Sequence, residues 1–258
     1  NMVLENVYNK EPLYYDEIME WCRIQAEFFK DYICDVGTLL GAAAGQGKNI
    51  LFEAQLGALR DIDYGIYPFT SSSNTIASYA PIGAGIPGCA LDNVVGVMKA
   101  YSTCVGEGPF VAETAMGEAW NEKLRESGGE FGAATGRPRR VGPFDAVASR
   151  YGIRCQKAQD IALTKLDVLG AFDKIPVITG YRLHGVLLDS FPTDSRLEEA
   201  EPVIEELPGW GCDISGCRSW KDLPENARKY VCTLEKLVDH PIYLVSTGAE
   251  RDAYLLRE

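Results

Sequence analysis

The sequence predicts an α/β fold in which a mostly parallel central sheet is flanked by helices. Strand-like and helix-like segments alternate along the chain, and strands that are connected by helices usually run parallel. Neither an internal repeat nor a low-complexity linker interrupts this alternation. We therefore expect residues 1–258 to belong to a single domain.

Apolar spacing and capping residues predict the helices. They cover residues 16–33, 112–125, 145–151 and 222–237. Asp145 is a suitable N-cap for the third helix, and Asp222 with Glu225 forms a capping box before the fourth. Residues 198–206 carry five glutamates, which predicts a further helix with a solvated face.

Short apolar runs predict the strands. These runs cover residues 49–52, 93–103, 161–163, 175–181 and 242–245. The two histidines flank predicted strands, His184 in a hairpin and His240 before the last strand. A structural or exposed position accounts for each of them better than catalysis does.

The chain is acidic, with 37 acidic and 25 basic side chains among 258 residues and a net charge of −12. This balance argues against a protein that binds nucleic acid or anionic membranes through bulk electrostatics. No apolar run approaches the ~20 residues that a membrane span needs, and the polar opening is unlike a signal peptide. The eight cysteines form no C-x-x-C pair. Together these features predict a cytoplasmic protein that binds neither membranes nor nucleic acid and has no metal site of its own.

A glycine-rich segment runs into an arginine cluster at residues 128–140. Its glycines leave the backbone open to close ligand approach, and Arg137, Arg139 and Arg140 follow within four residues. Arginine forks suit carboxylates and phosphates. In an acidic chain this arrangement indicates a site for an anionic small molecule. The alternative is a surface turn with solvated arginines.

Lys165 and Asp167 come directly after a predicted strand. A lysine stem can lie across a purine ring while the carboxylate accepts hydrogen bonds from two donors on one edge of the base. Guanine presents N1–H and the 2-amino group together, whereas adenine has no such pair, so a carboxylate selects guanine. The alternative is an ordinary capped turn between a strand and a helix.

Two further polar segments follow predicted strands. Residues 245–252 come after the last strand, where open α/β sheets place ligand loops, and Gly248 allows backbone contact with a base or ribose. Residues 52–75 include Gln55, Asp61, Asp63 and a run of hydroxyl side chains that could orient a substrate. Residues 41–48 are similar to a phosphate-binding loop, but Ala42 and Asn49 break the pattern. We interpret this last segment as a helix-to-strand connection.

In this order, the segments resemble the adenylosuccinate synthetase family along nearly the whole sequence. The motifs include Leu51-Phe-Glu53, Asp61-Ile-Asp63, Lys99-Ala-Tyr-Ser-Thr103, Val105-Gly-Glu-Gly-Pro-Phe110, Thr135-Gly-Arg-Pro-Arg-Arg140, Leu163-Thr-Lys-Leu-Asp167 and Arg251-Asp252. The resemblance implies a ligase of AMP biosynthesis that joins IMP and L-aspartate at the expense of GTP. GTP would phosphorylate the 6-oxygen of IMP, and the aspartate amine would then displace that phosphate.

The resemblance also implies site residues, a GTP co-substrate, Mg²⁺ and a homodimer. The implied contacts are Ser71, Val105 and Arg137 with IMP; Thr135, Arg137 and Arg139 with aspartate; and Arg139, Lys165, Asp167, Ser246 and Gly248 with GTP. Gln55 would be the catalytic residue at the IMP base, although it is displaced by one position because Leu56 stands where the family has glutamine. Ala134 replaces a threonine of the aspartate loop, and Cys104 replaces an arginine.

The family's chain extends upstream of Asn1, and the resemblance places its phosphate loop, acid–base pair and magnesium ligands there. We therefore expect a fold of the P-loop-NTPase-like type that is incomplete at its N-terminus, with exposed sheet edges, and a chain that is inactive by itself. Two alternatives stay open. One is a non-catalytic guanine-nucleotide-binding module, and the other is a structural half that pairs with a separate N-terminal partner.

Overall fold

The computed structural model describes residues 1–188 and 190–257 of the chain. The helices are α1 Met2–Asn6, α2 Tyr15–Phe29, α3 Val36–Gly45, α4 Ala80–Gly83, α5 Val111–Thr114, α6 Glu118–Gly128, α7 Ala146–Gln156 and α8 Glu225–Val238. The strands are β1 Val95–Lys99, β2 Ser102–Cys104, β3 Arg140–Gly142, β4 Phe144–Asp145, β5 Asp160–Thr164, β6 Lys174–Leu183, β7 Val186–Leu187, β8 Glu201–Pro208, β9 Ile242–Ser246 and β10 Tyr254–Leu256.

The described chain divides into two compact units. The first comprises Asn1–Phe52 and Pro81–Cys89, and the second comprises Glu53–Ala80 and the chain from Ala90 onward. In the first unit the predicted helix at 16–33 is confirmed as α2, and none of the residues of α1, α2 and α3 is buried. The apolar side chains of these three helices are therefore partly or fully exposed to solvent.

The predicted strand at residues 49–52 is wrong. The backbone there forms no strand, and Leu51 is 93% exposed. A strand needs a neighbour for its ladder of hydrogen bonds, and no strand pairing within residues 1–188 and 190–257 includes this segment. Residues 41–45 form the end of α3, so the phosphate-loop-like segment does not connect a strand to a helix.

The second unit contains a sheet of order β1-β5-β9-β10. β1, β5 and β9 run parallel, with Val97 opposite Ala162 and Leu163 opposite Val245, which confirms the mostly parallel arrangement. β10 is antiparallel to β9. The sequence did not predict β10, because three residues are too few for a clear apolar pattern.

A second sheet is built around β6, which pairs in parallel with β4 and antiparallel with β7 and β8. The glutamate-rich segment therefore contains a strand, Glu201–Pro208, and the predicted helix is wrong. Backbone pairing along β6 outweighs the helical preference of glutamate. The hairpin at His184 is confirmed, since His184 and Gly185 have φ of 49° and 83°, which suits a tight turn between β6 and β7.

Three predicted elements differ in detail. The strand at 93–103 is divided into β1 and β2, and the helix at 112–125 is divided into α5 and α6 because Gly117 has an extended backbone. α8 is confirmed, but its capping box is wrong. Pro224 occupies the N-cap, and the Asp222 carboxylate accepts hydrogen bonds from Arg218 and Ser219 instead. Asp145 does cap α7, accepting from the amides of Val147 and Ala148.

The main core lies between the parallel sheet and its helices. α8 contributes Tyr230 and Leu234, which pack in one cluster with Ile161, Leu163 and Val245 of the sheet. All five side chains are nearly or fully buried. This core fixes the ends of the parallel strands, and so fixes the loops that follow them.

Candidate functional site

The carboxyl ends of the parallel strands bring several predicted residues to one edge of the sheet. β1 ends at Lys99, β5 is followed by Lys165, and β9 ends at Ser246. Because the three strands are parallel neighbours, their following loops lie at the same edge. Loops at this edge are where open α/β sheets hold ligands.

Lys165 turns sharply out of β5 and reaches the helix that precedes the glycine-rich loop. Its φ is 64°, a left-handed conformation that costs a non-glycine residue free energy. Its Nζ donates a 2.8 Å hydrogen bond to the carbonyl oxygen of Gly128, at the end of α6. Asp167 is half-buried at the start of a short 3₁₀ helix, Asp167–Ala171.

Glu130 is the centre of a charged cluster beside Lys165. Its side chain is 1% exposed, and its carboxylate accepts hydrogen bonds from Lys99 Nζ at 2.8 Å, Tyr101 Oη at 2.5 Å and Arg139 Nη1 at 3.0 Å. Burial opposes ionisation, but the bonds from Lys99 and Tyr101 outweigh it and lower the pKa of Glu130. Burial also lowers the pKa of Lys99, with Arg139 and Lys165 acting in the same direction.

The glycine-rich loop projects from this cluster. Gly129 ends α6 in a left-handed conformation, and the Arg139 amide donates to the Glu130 carbonyl at 2.9 Å, which closes the base of the loop. At the tip Thr135 and Arg137 are exposed, and Thr135 Oγ1 accepts from the Arg137 amide at 3.3 Å. The tip side chains are thus accessible to a ligand, while the base is anchored.

The three arginines of the cluster have different surroundings. Arg137 is exposed, whereas Arg139 pairs with Glu130 and has a buried Nε without a hydrogen-bond partner among the described residues. Arg140 pairs with Glu113 at 2.6 Å and donates to the carbonyls of residues 106 and 108. The hydrogen bond with Glu113 raises the pKa of Arg140. The Arg140 guanidinium therefore fixes the neighbouring loop at residues 106–108.

The loop after β9 is held by its own hydroxyl groups. Ser246 Oγ donates to the Gly248 carbonyl at 3.0 Å, and the buried Thr247 donates to the Cys217 carbonyl at 3.1 Å. A Cβ added at Gly248 would lie 3.2 Å from the Ala253 side chain, so glycine permits this close packing. Cys217 and Cys212, the closest cysteine pair in sequence, are both free thiols.

Ser71 and Val105, the residues implied for IMP, are connected through Arg60. The Arg60 guanidinium donates to the carbonyls of Phe69 at 2.5 Å and Val105 at 3.1 Å, and the Arg60 carbonyl accepts from Ser71 Oγ at 2.8 Å. Val105 is 68% exposed. Sequence reasoning missed Arg60, because nothing in the local pattern indicates a contact to a loop 45 residues away.

Gln55 is exposed at the start of the second unit and lies in an irregular segment. Leu56 and Gly57 follow with φ of 72° and 84°. The nearby Asp61 has a structural position. Although burial opposes ionisation, hydrogen bonds from four backbone amides lower the pKa of Asp61, and they fix the turn over residues 61–76.

A cavity of about 380 Å³ lies beside β1, and its polar lining includes Lys99, Ser102 and Asp145. Asp145 is almost fully buried and accepts a hydrogen bond from Tyr181 Oη. Burial raises the pKa of this carboxyl to about 6. The cavity contains none of the predicted site residues.

The described residues form no cluster of protein ligands that could hold a magnesium ion by themselves. Within residues 1–188 and 190–257, no group of three or more histidine, cysteine, aspartate or glutamate side chains is placed to hold a metal ion. No step is therefore assigned to a metal held by this part of the chain.

In the same residues, no helix is long and apolar enough to span a membrane.

A mostly parallel sheet with charged loops at its carboxyl edge defines an α/β protein of the class that holds ligands at that edge. A family model described as adenylosuccinate synthetase matches residues 1–255. The chain therefore belongs to the adenylosuccinate synthetase family, which confirms the resemblance of its motifs.

Curated relatives and a solved structure agree with this assignment. The adenylosuccinate synthetases of Trichlorobacter lovleyi and Pelotomaculum thermopropionicum are 48% and 45% identical over 257 residues, 99% of this chain. The structure of the fully ligated enzyme from Plasmodium falciparum has a TM-score of 0.90 at 34% identity and covers 99% of this chain. The chain spans 59% and 60% of the two curated relatives and 61% of the solved chain.

Proposed function

We propose that this chain carries the guanine-reading and aspartate-binding parts of a GTP-dependent enzyme that ligates IMP and L-aspartate to adenylosuccinate. The observation that carries the proposal is the placement of Lys165 and the Ser246 loop at one edge of the sheet. Lys165 also contacts the anchored base of the glycine-rich loop over residues 131–138, which we call the arginine loop. A guanine base at this edge would meet the Asp167 carboxylate, with the Lys165 stem across the ring.

The arginine loop supplies the donors for anionic substrates. Arg137 and Thr135 are exposed at the tip, where they would contact the aspartate carboxylate, and Arg137 would also reach IMP. Arg139 lies at the base of the loop, where it pairs with Glu130, and its guanidinium would lie between aspartate and GTP. Ser71 and Val105 would line the IMP site, and Gln55 would contact the IMP base as the catalytic residue.

We also propose that the chain acts as a cytoplasmic homodimer and that it does not complete the reaction alone. Phosphoryl transfer needs groups that position the phosphates and stabilise their charge, in addition to those that bind the base. The support for the second proposal, inactivity of the chain alone, is that the chain covers only 59% and 60% of the length of these two relatives. A coupled turnover assay on the purified chain tests this, and rates typical of the family would refute it.

Calorimetric titration with GDP, with ADP as the competing ligand, tests guanine reading directly. We expect selective binding of GDP, and we expect Asp167→Asn to weaken it by roughly a hundredfold, because asparagine loses the charge and sets an amide N–H against the 2-amino group of guanine. Asp173→Asn, an exposed change of the same type, serves as the matched control. Equal affinity for GDP and ADP, or no binding of either, would exclude a preformed guanine site.

A further inference from the structure

A buried carboxylate connects two parts of the site that sequence motifs treat as separate. Lys165 belongs to the proposed guanine end, and the loop over residues 131–138 belongs to the proposed aspartate end. Glu130 lies between them, two residues after the carbonyl that Lys165 binds and at the base of the loop that Arg139 closes. Glu130 is therefore placed to respond to changes at the guanine end and at the aspartate end.

Charge balance makes Glu130 necessary to this arrangement. Lys99, Arg139 and Lys165 are close enough to influence one another, and each cation lowers the free energy of the ionised Glu130 carboxylate. Without the carboxylate, three partly buried cations would face one another in a medium that screens them poorly. Glu130 thus holds together groups that would otherwise repel.

The backbone gives the connection its stiffness. The Gly128 carbonyl is held by Lys165, the Gly129 residue turns the chain in a left-handed conformation, and the Glu130 amide donates to the Arg125 carbonyl at 2.9 Å. Glu130 and Arg139 are joined both by main-chain and by side-chain bonds. A displacement of Lys165 is therefore transmitted to the loop through two fixed residues and one carboxylate.

We propose that Glu130 is a positioning residue that couples Lys165 to the arginine loop, so that occupation of the guanine end orders the aspartate end. Glu130 itself is buried and does not contact a substrate. The coupling of Lys165 to the arginine loop in the ligand-free chain is argued from the contacts alone. The ordering of the aspartate end by a ligand at the guanine end rests on the proposed function.

Hydrogen exchange of the loop amides at Gly132 and Gly136 in the ligand-free chain tests the coupling. Lys165→Met should raise their exchange by roughly tenfold, the effect of losing one charged hydrogen bond from the anchor. In the Glu130→Gln background the same lysine substitution should raise exchange clearly less, because the carboxylate link is gone and one of three mutually repelling cations is removed. Lys236→Met and Glu126→Gln, both exposed, are the matched controls.

Equal effects of Lys165→Met in both backgrounds, or none in the wild-type chain, would overturn the proposal. If Glu130→Gln fails to fold, Arg139→Met removes the same side-chain link from its more exposed partner and should also reduce the response to Lys165→Met. GDP is then added to the wild-type chain. Failure to bind GDP counts against the proposed function alone, while bound GDP that leaves loop exchange unchanged counts against the coupling.

Discussion

Arg60 Nη2 lies 2.8 Å from the Sγ atom of Cys104. The family resemblance implies an arginine at position 104. The same guanidinium reaches the carbonyls of Val105 and Glu107 at 3.1 and 3.0 Å. Arg60 therefore places a positive charge beside residue 104 from a distant part of the chain. This contact gives a physical reason why a small thiol fits at that position.

Replacing Arg60 should loosen the loop around Val105. Arg60→Lys keeps the charge but loses the planar fork, so we expect the free energy of unfolding to fall by about 2 kcal/mol. Urea unfolding measures this change, and hydrogen exchange over residues 104–108 locates it. Arg23→Lys on the exposed face of α2 should change neither. Unchanged exchange over residues 104–108 would contradict the role of Arg60.

Asp167→Asn should change the base that the chain prefers. An asparagine amide can accept a hydrogen bond from N1–H and donate one to a 2-keto group, which xanthine has and guanine lacks. We therefore expect Asp167→Asn to bind xanthosine diphosphate better than GDP, by roughly tenfold or more. Competition calorimetry measures the ratio. A variant that loses both ligands equally would place Asp167 outside the base site.

Asp145 should make stability depend on pH in the acidic range. Its pKa of about 6 in the fold lies above the ordinary 3.8, so folding favours the neutral carboxyl. The stability it contributes is fully present below about pH 4 and is lost as the pH rises through about 6, a change of about 3 kcal/mol. Asp145→Asn keeps the hydrogen bonds of the cap and should remove this dependence.

The measurement is the difference in free energy of unfolding between wild type and Asp145→Asn from pH 4 to pH 7. The variant should gain stability relative to wild type as the pH rises. Asp173→Asn, an exposed control, should show a flat difference. A flat difference for Asp145→Asn as well would mean that its carboxyl ionises normally in the fold.

Gly128 should be intolerant of alanine because of Tyr101. A Cβ at residue 128 would lie 2.5 Å from Tyr101 Oη, so we expect Gly128→Ala to cost about 1–3 kcal/mol. Tyr101→Phe removes the clashing oxygen. In that background the alanine substitution should cost clearly less, as a double-mutant cycle of unfolding free energies would reveal. Additive costs would exclude this clash as the cause.

The open edge of β1 should promote self-association. β1 is at the end of its sheet, and Val97 is 74% exposed there. We expect concentration-dependent sedimentation that Val97→Lys reduces, since a lysine on an edge strand opposes further pairing. Val7→Lys, at a valine that is 70% exposed at the end of α1, is the control. A monodisperse monomer for the wild-type chain would refute both this expectation and the proposed homodimer.

The elements that were predicted correctly have strong local signals. α2 and α8 show clear apolar spacing, Asp145 is an evident N-cap, and β5 and β6 are apolar runs bounded by turns. The errors occur where long-range pairing decides. The segment at residues 49–52 has the composition of a strand but pairs with no strand in the described part of the chain, residues 1–188 and 190–257. The glutamates of β8 form a strand because β6 provides a ladder.

The sequence by itself determined the fold class, the family and the segments that hold the candidate site. These follow from local periodicity and from motifs in a fixed order, which are properties of neighbouring residues. Only the tertiary structure decided which charged groups meet. The hydrogen bonds of Glu130, Lys99 and Arg60 join residues that are 9 to 47 positions apart in the sequence. No local pattern can specify such a contact, because it exists only after the sheet brings the segments together.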